Sequence, residues 1–172
     1  MEKKLSAIIG FLIGGMWLSE ILLGNLGGTS VFGNLRDVHP RVYSKANWFA
    51  LGALGATGIG GLVAAYRTGR ISAALRVGFW SGLLSGGIVF VTIVSMVTLF
   101  HGALMQDPSN LREFARTAHH APTAAELSSF LYWDALGGAL NHLWIGPLLG
   151  LTVGGIGALI AKLLVRCAGA RF

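Results

Sequence analysis

The stretch NHLWIGPLLGLTVGGIGALIAKLLV, residues 141–165, decides how the rest of the chain is read. After Asn141 and His142 it runs for about 19 residues without a charge until Lys162. At roughly 1.5 Å rise per residue, a helix of that length crosses the roughly 30 Å of bilayer hydrocarbon. Gly146, Gly150, Gly154 and Ala158 recur along it every four residues, so one helix face is a strip where another backbone can come close.

Working outward, three more apolar runs suit helices that span a membrane, over about residues 5–24, 48–66 and 77–100, with the last at 143–165. The second carries Gly52, Ala56, Gly60 and Ala64 at the same spacing of four, and the third carries Gly78, Gly82 and Gly86 before turning β-branched. This glycine-zipper pattern near one membrane face, with bulky Val, Ile and Phe toward the other, implies a bundle tight on one side and looser on the other, where a cavity is easier to hold. The expected fold is therefore a single all-α integral membrane domain over residues 1–172, four transmembrane helices in a bundle. GIG in the second and fourth runs and a double glycine in the first and third raise the alternative of two tandem hairpins. Glycine-rich spans also resemble one another by composition alone.

Composition agrees. The chain is 53% hydrophobic and 12% charged, with 26 glycines and a mean hydropathy of +0.66, against about 25% charge in ordinary soluble domains. A net charge of +6 would suit nucleic acid, but the thirteen Lys and Arg sit in short clusters beside apolar runs, where anionic headgroups and topology account for them. Lys3 and Lys4 before the first run resemble the start of a secretory signal, yet the run is about 20 residues long and no A-x-A site follows, so it reads as an uncleaved helix. With both termini cytoplasmic, eight basic residues lie inside (Lys3, Lys4, Arg67, Arg70, Arg76, Lys162, Arg166, Arg171) and five outside. That is the expected topology, in what reads as a bacterial inner membrane. The single cysteine, Cys167, has no partner for an internal disulfide and reads as a bystander, with reversible acylation as its alternative.

The loop over residues 25–47, with its glycines, Pro40 and mixed charge, is too polar to span. The outer segment 101–142 has its own helical punctuation. Asp107 followed by Pro108 reads as N-cap and first-turn proline of a short helix through Arg116, and His119 and His120 at its end suit solvated or C-capping roles. Thr123 with Glu126 three residues on makes a capping box for a second helix that continues into the last span, with Gly137, Gly138 and Pro147 as bend points. Its Phe130, Leu131 and Trp133 suit the membrane interface.

Candidate chemistry is sparse. Glu20, His101 and His142 are expected at one depth near the outer face, where two imidazoles and a carboxylate can ligate a transition metal, or two facing histidines a haem. No H-x-x-x-H, E-x-x-H or C-x-x-C pair lies on a span, no G-x-S-x-G elbow and no phosphate loop is present, and the sequence requires no cofactor. In the blander reading Glu20 accepts hydrogen bonds from Asn141 or an indole. The leading functional expectation is a non-catalytic accessory, scaffold or self-assembling subunit, partnered by lipid and by copies of itself or other membrane subunits. The alternatives are a haem- or metal-binding redox protein using Glu20, His101 and His142, and a small transporter or channel.

Overall fold

A computed structural model describes residues 1–26, 40–167 and 169, with side chains described for residues 1–19, 21, 22 and 51–167. Among the described residues the protein is all helical, without strands: α1 (Glu2–Leu26), α2 (Pro40–Thr68), α3 (Ile71–Leu99), α4 (His101–Gln106), α5 (Pro108–Ala118) and α6 (Ala124–Cys167). Among the described residues two helices, α3 and α6, are long and apolar enough to cross a membrane by length and composition. The sequence reading expected four such helices.

Helix boundaries differ from the sequence reading in an instructive way. Helix α2 begins at Pro40, inside the expected loop, because a proline without an N–H is well placed where a helix needs none. It ends at Gly69, whose φ of 67° lets its N–H reach the Ala65 carbonyl at 2.8 Å, and a single extended residue, Arg70, starts α3. Helix α3 thus starts at Ile71 rather than about residue 77. The expected last span is only the second half of α6, whose 44 residues extend about 66 Å, twice the hydrocarbon thickness. The helix is assigned without interruption through Gly137, Gly138 and Pro147.

Both expected caps are present. Asp107 accepts from the Ser109 N–H at 2.8 Å at the start of α5, with Pro108 as its first residue. The Thr123 N–H donates to the Glu126 carboxylate at 2.9 Å while the Glu126 N–H donates to Thr123 Oγ1 at 3.3 Å, tying down the start of α6. His119 ends α5 in the left-handed region, with φ 61°.

Helix α3 is the centre, packed on α1, α2 and α6. Its glycines stand against the backbone of α6: Gly78 against the Gly150 carbonyl, Gly82 against that of Gly146, and Gly86 against that of His142. A Cβ at Gly146 would lie 2.5 Å from the Gly82 oxygen, so the approach is reciprocal, in the manner of Cα–H···O contacts. This register makes α3 and α6 antiparallel. Gly10 meets Leu84 and Gly14 meets Ile88, so α1 runs parallel to α3. Gly58 meets Val153 and Gly61 meets Gly154, so α2 runs parallel to α6. Gly60 lies against Ile9, whereas Gly52 is exposed with nothing described within 4 Å and Ala56 is half-buried.

Core composition changes along the bundle. Ala65, Ala74, Ala158 and Ala161 form one buried group, beside another of Ile9, Ala64, Ala73 and Val77, at the end carrying Glu2 and Arg76. The opposite end is bulkier: Met96, Val97, Leu104, Phe114, Leu127 and Leu131 bring α3, α4, α5 and α6 together. Leu131 is buried there, and Phe130 packs edge-on against Phe114 with centroids 5.5 Å apart. Of the three residues assigned to the membrane interface, Trp133 alone is strongly exposed, at 72%, because the short outer helices fold back over the other two. The start of α1 lies at the alanine-rich end, where Arg76 approaches Glu2 at 3.5 Å and Arg67 Nη1 lies 3.5 Å from Met1 Sδ.

Candidate functional site

The register of α3 on α6 decides where the two candidate histidines go. His142 is opposite Gly86, halfway along α3, whereas His101 Nε2 lies 3.0 Å from the Ser128 hydroxyl at the far end of the bundle. Ser128 and His142 are fourteen residues apart on one uninterrupted helix, about 21 Å. The two imidazoles therefore cannot share a metal or face each other across a haem, and the expectation that they lie at one depth is overturned. It arose from taking Asn141 and His142 as the polar beginning of a span, when α6 had begun 17 residues earlier, at Ala124. Glu20 belongs to α1, and its side chain is outside the described residues. Among the described residues no group of three His, Cys, Asp or Glu is placed to hold a metal.

Each histidine has a definite setting. His101 stacks on Tyr132, centroids 4.8 Å apart and planes 21° from parallel, and its Nδ1 is buried without a hydrogen-bond partner among the described residues. His120 is exposed, with Nδ1 2.8 Å from the Ala121 carbonyl and its ring edge-on to Phe114. His142 is half-buried, with Nδ1 2.9 Å from the Gly138 carbonyl and its ring 5.6 Å from that of Trp17, edge to face.

Beside His142 is a cavity of about 260 Å³. Helix α1 contributes Ile13 and Trp17, α2 Ala53, Leu54 and Thr57, α3 Gly82, Ser85, Gly86 and Val89, and α6 Asn141, His142, Ile145 and Leu149 along the contact line. The cavity has a simple cause. The glycines that let α3 and α6 touch present no side chains to fill the space next to their line of contact, and α1 and α2 bridge that space instead of closing it. Its wall is mostly apolar. Among the described residues the polar exceptions are the His142 ring, the Trp17 indole, the Ser85 and Thr57 hydroxyls and the Asn141 amide at the exposed rim. A second space, about 230 Å³, lies toward the bulky end between Met96, Leu104, Asn110, Leu131 and Asp134, and is more polar.

The hydroxyls are already committed as donors: Ser85 donates to the Gly82 carbonyl at 3.1 Å and Thr57 to that of Ala53 at 3.0 Å. Hydroxyls on apolar spans commonly bond across to a neighbouring helix. Ser81, Ser85, Thr92 and Thr98 instead bond back to carbonyls of their own helix, three or four residues earlier. Outside the bundle, Thr123 holds the Glu126 carboxylate below its ordinary pKa, first through its backbone N–H and then through its hydroxyl. Arg116, hydrogen-bonded to Glu113 at 2.6 Å, titrates above its ordinary value for that reason. Comparison with protein-family models, with curated proteins and with solved structures finds no match to this chain.

Proposed function

We propose that this chain is a non-catalytic integral membrane protein, an accessory subunit whose working part is the cavity at His142, where it holds a small, largely apolar ligand. The observation that carries this reading is the cavity itself, walled by four helices near the middle of α3, with an imidazole among apolar side chains. Ligand sites have this character: a concave apolar chamber with few, placed polar groups. In this reading α1, α2, α3 and α6 cross the bilayer, and the zipper-like contact of glycines acts within the chain, between α3 and α6. Large apolar side chains are exposed on every long helix, among them Phe11, Ile59, Val91 and Trp144, a surface that lipid would cover and water would not favour. Lys3, Lys4, Arg67, Arg70, Arg76, Lys162 and Arg166 gather toward one end, which supports a cytoplasmic position for that end.

Retention in the membrane pellet after alkaline carbonate extraction tests the insertion, and release into the supernatant would refute it. Native mass spectrometry in mild detergent tests the rest. A small molecule should accompany the parent and be missing from Ala53→Trp, whose indole fills the chamber. Masses without adduct in both would end the ligand reading. The same spectra read assembly: a monomer would limit any partner to another subunit, and a defined oligomer would favour self-assembly, for which the face of α2 at Gly52 and Gly55, with nothing among the described residues within 4 Å, is a candidate surface.

A further inference from the structure

We infer that the ligand of the His142 cavity is an apolar molecule carrying a hydroxyl group, seated with that hydroxyl donating to His142 Nε2; this rests on the cavity reading above. The argument begins with the imidazole tautomer. The Gly138 carbonyl can only accept, so at 2.9 Å it requires the proton on Nδ1 of His142. In the neutral ring Nε2 is then a lone pair, and it has no partner among the described residues. Ser85 and Thr57 have each given their only hydroxyl hydrogen to a backbone carbonyl of their own helix, so they too present lone pairs to the cavity.

His142 Nε2, Ser85 and Thr57 are thus acceptors, and the ligand must supply the hydrogen that meets them. A carboxylate or phosphate would meet lone pairs. A cation would surrender its hydration where no acidic side chain among the described residues lines the wall. A carbonyl-headed molecule could face the Asn141 amide or the Trp17 indole but would leave the His142 Nε2 lone pair unmet. A hydroxyl satisfies Nε2, and an apolar body suits Ile13, Leu54, Val89 and Leu149, with the Trp17 ring beside it. Size sets the scale: an apolar cavity of about 150 Å³ holds benzene, so one of about 260 Å³ takes a body of on the order of ten heavy atoms.

The test uses the full chain in mild detergent with two probes of one shape, 1-naphthol and 1-methoxynaphthalene, the second lacking the donor. Calorimetric titration of the parent should show 1-naphthol bound more tightly by about three- to tenfold, the worth of one hydrogen bond. In His142→Phe, which keeps a ring and removes the acceptor, that preference should vanish while both probes still bind. In protein labelled with 15N at histidine, the Nε2 resonance of His142 should move on adding 1-naphthol and stay with 1-methoxynaphthalene. This readout stands even if the variant does not fold. Equal affinities with an unmoved resonance would overturn the hydroxyl inference and leave a cavity that takes apolar bodies regardless of head group. Failure of both probes to bind the parent would overturn the inference together with the ligand reading beneath it.

Discussion

Replacing Gly82 with alanine is the most direct challenge to the packing of α3 on α6. The added methyl would stand against the Gly146 carbonyl oxygen, 2.5 Å from its carbon and 2.9 Å from Pro147 N. Carbon atoms pack best at about 3.5–4.0 Å, so the helices must separate by about 1 Å, and because the opposing atoms are backbone, no rotamer change relieves them. Overpacking of this kind costs about 1–3 kcal/mol, and the upper end applies here. Alanine returns about 1 kcal/mol as the better helix former. The net is about 2 kcal/mol of destabilisation, and at about 2–4 °C per kcal/mol for a chain of this size the melting temperature should fall by about 4–8 °C. Gly87, five residues on and on another face, meets nothing among the described residues within 4 Å. There the helix-forming gain is unopposed, and Gly87→Ala should raise the melting temperature by about 1–4 °C. Circular dichroism at 222 nm on heating both variants in one detergent reads the two signs. Shifts of the same sign, or an unmoved Gly82→Ala, would refute the assigned register.

Leu131→Asp places a carboxylate among Met96, Val97, Leu104 and Phe114 and should cost about 3 kcal/mol or more, exposing residues 107–123 to limited proteolysis, whereas Trp133→Asp should leave the cleavage pattern unchanged. Asp107→Ala removes the acceptor for the Ser109 N–H and should cost about 1 kcal/mol, seen as faster amide exchange in the first turn of α5 alone. The Glu126 carboxyl is held below its ordinary value, so its capping contribution is present above about pH 4 and is lost as pH falls through the lower, folded value. Exchange at the Thr123 amide should therefore quicken, beyond its intrinsic pH trend, between neutral and acid conditions in the parent, and show no such step in Glu126→Gln.

The sequence by itself determined what depends on neighbours a few residues apart. An all-helical chain, the Asp107 cap and the Thr123–Glu126 box were legible because each rests on backbone groups within about one helical turn. The spacing of Gly78, Gly82 and Gly86 likewise marked a smooth face. Tertiary structure decided what that face meets. Gly78 against Gly150 and Gly86 against His142 is one register among several that period-four strips of glycine allow, and backbone contact between distant segments selects it. That register separates His101 from His142 and sets His142 beside a cavity. The polarity of Asn141 and His142 looks the same in sequence whether it marks headgroups or a chamber wall. Leu131 is a similar case: an apolar residue on an outer helix reads as an interfacial anchor until α4 and α5 fold over it, because burial depends on what covers a side chain as well as on the side chain itself.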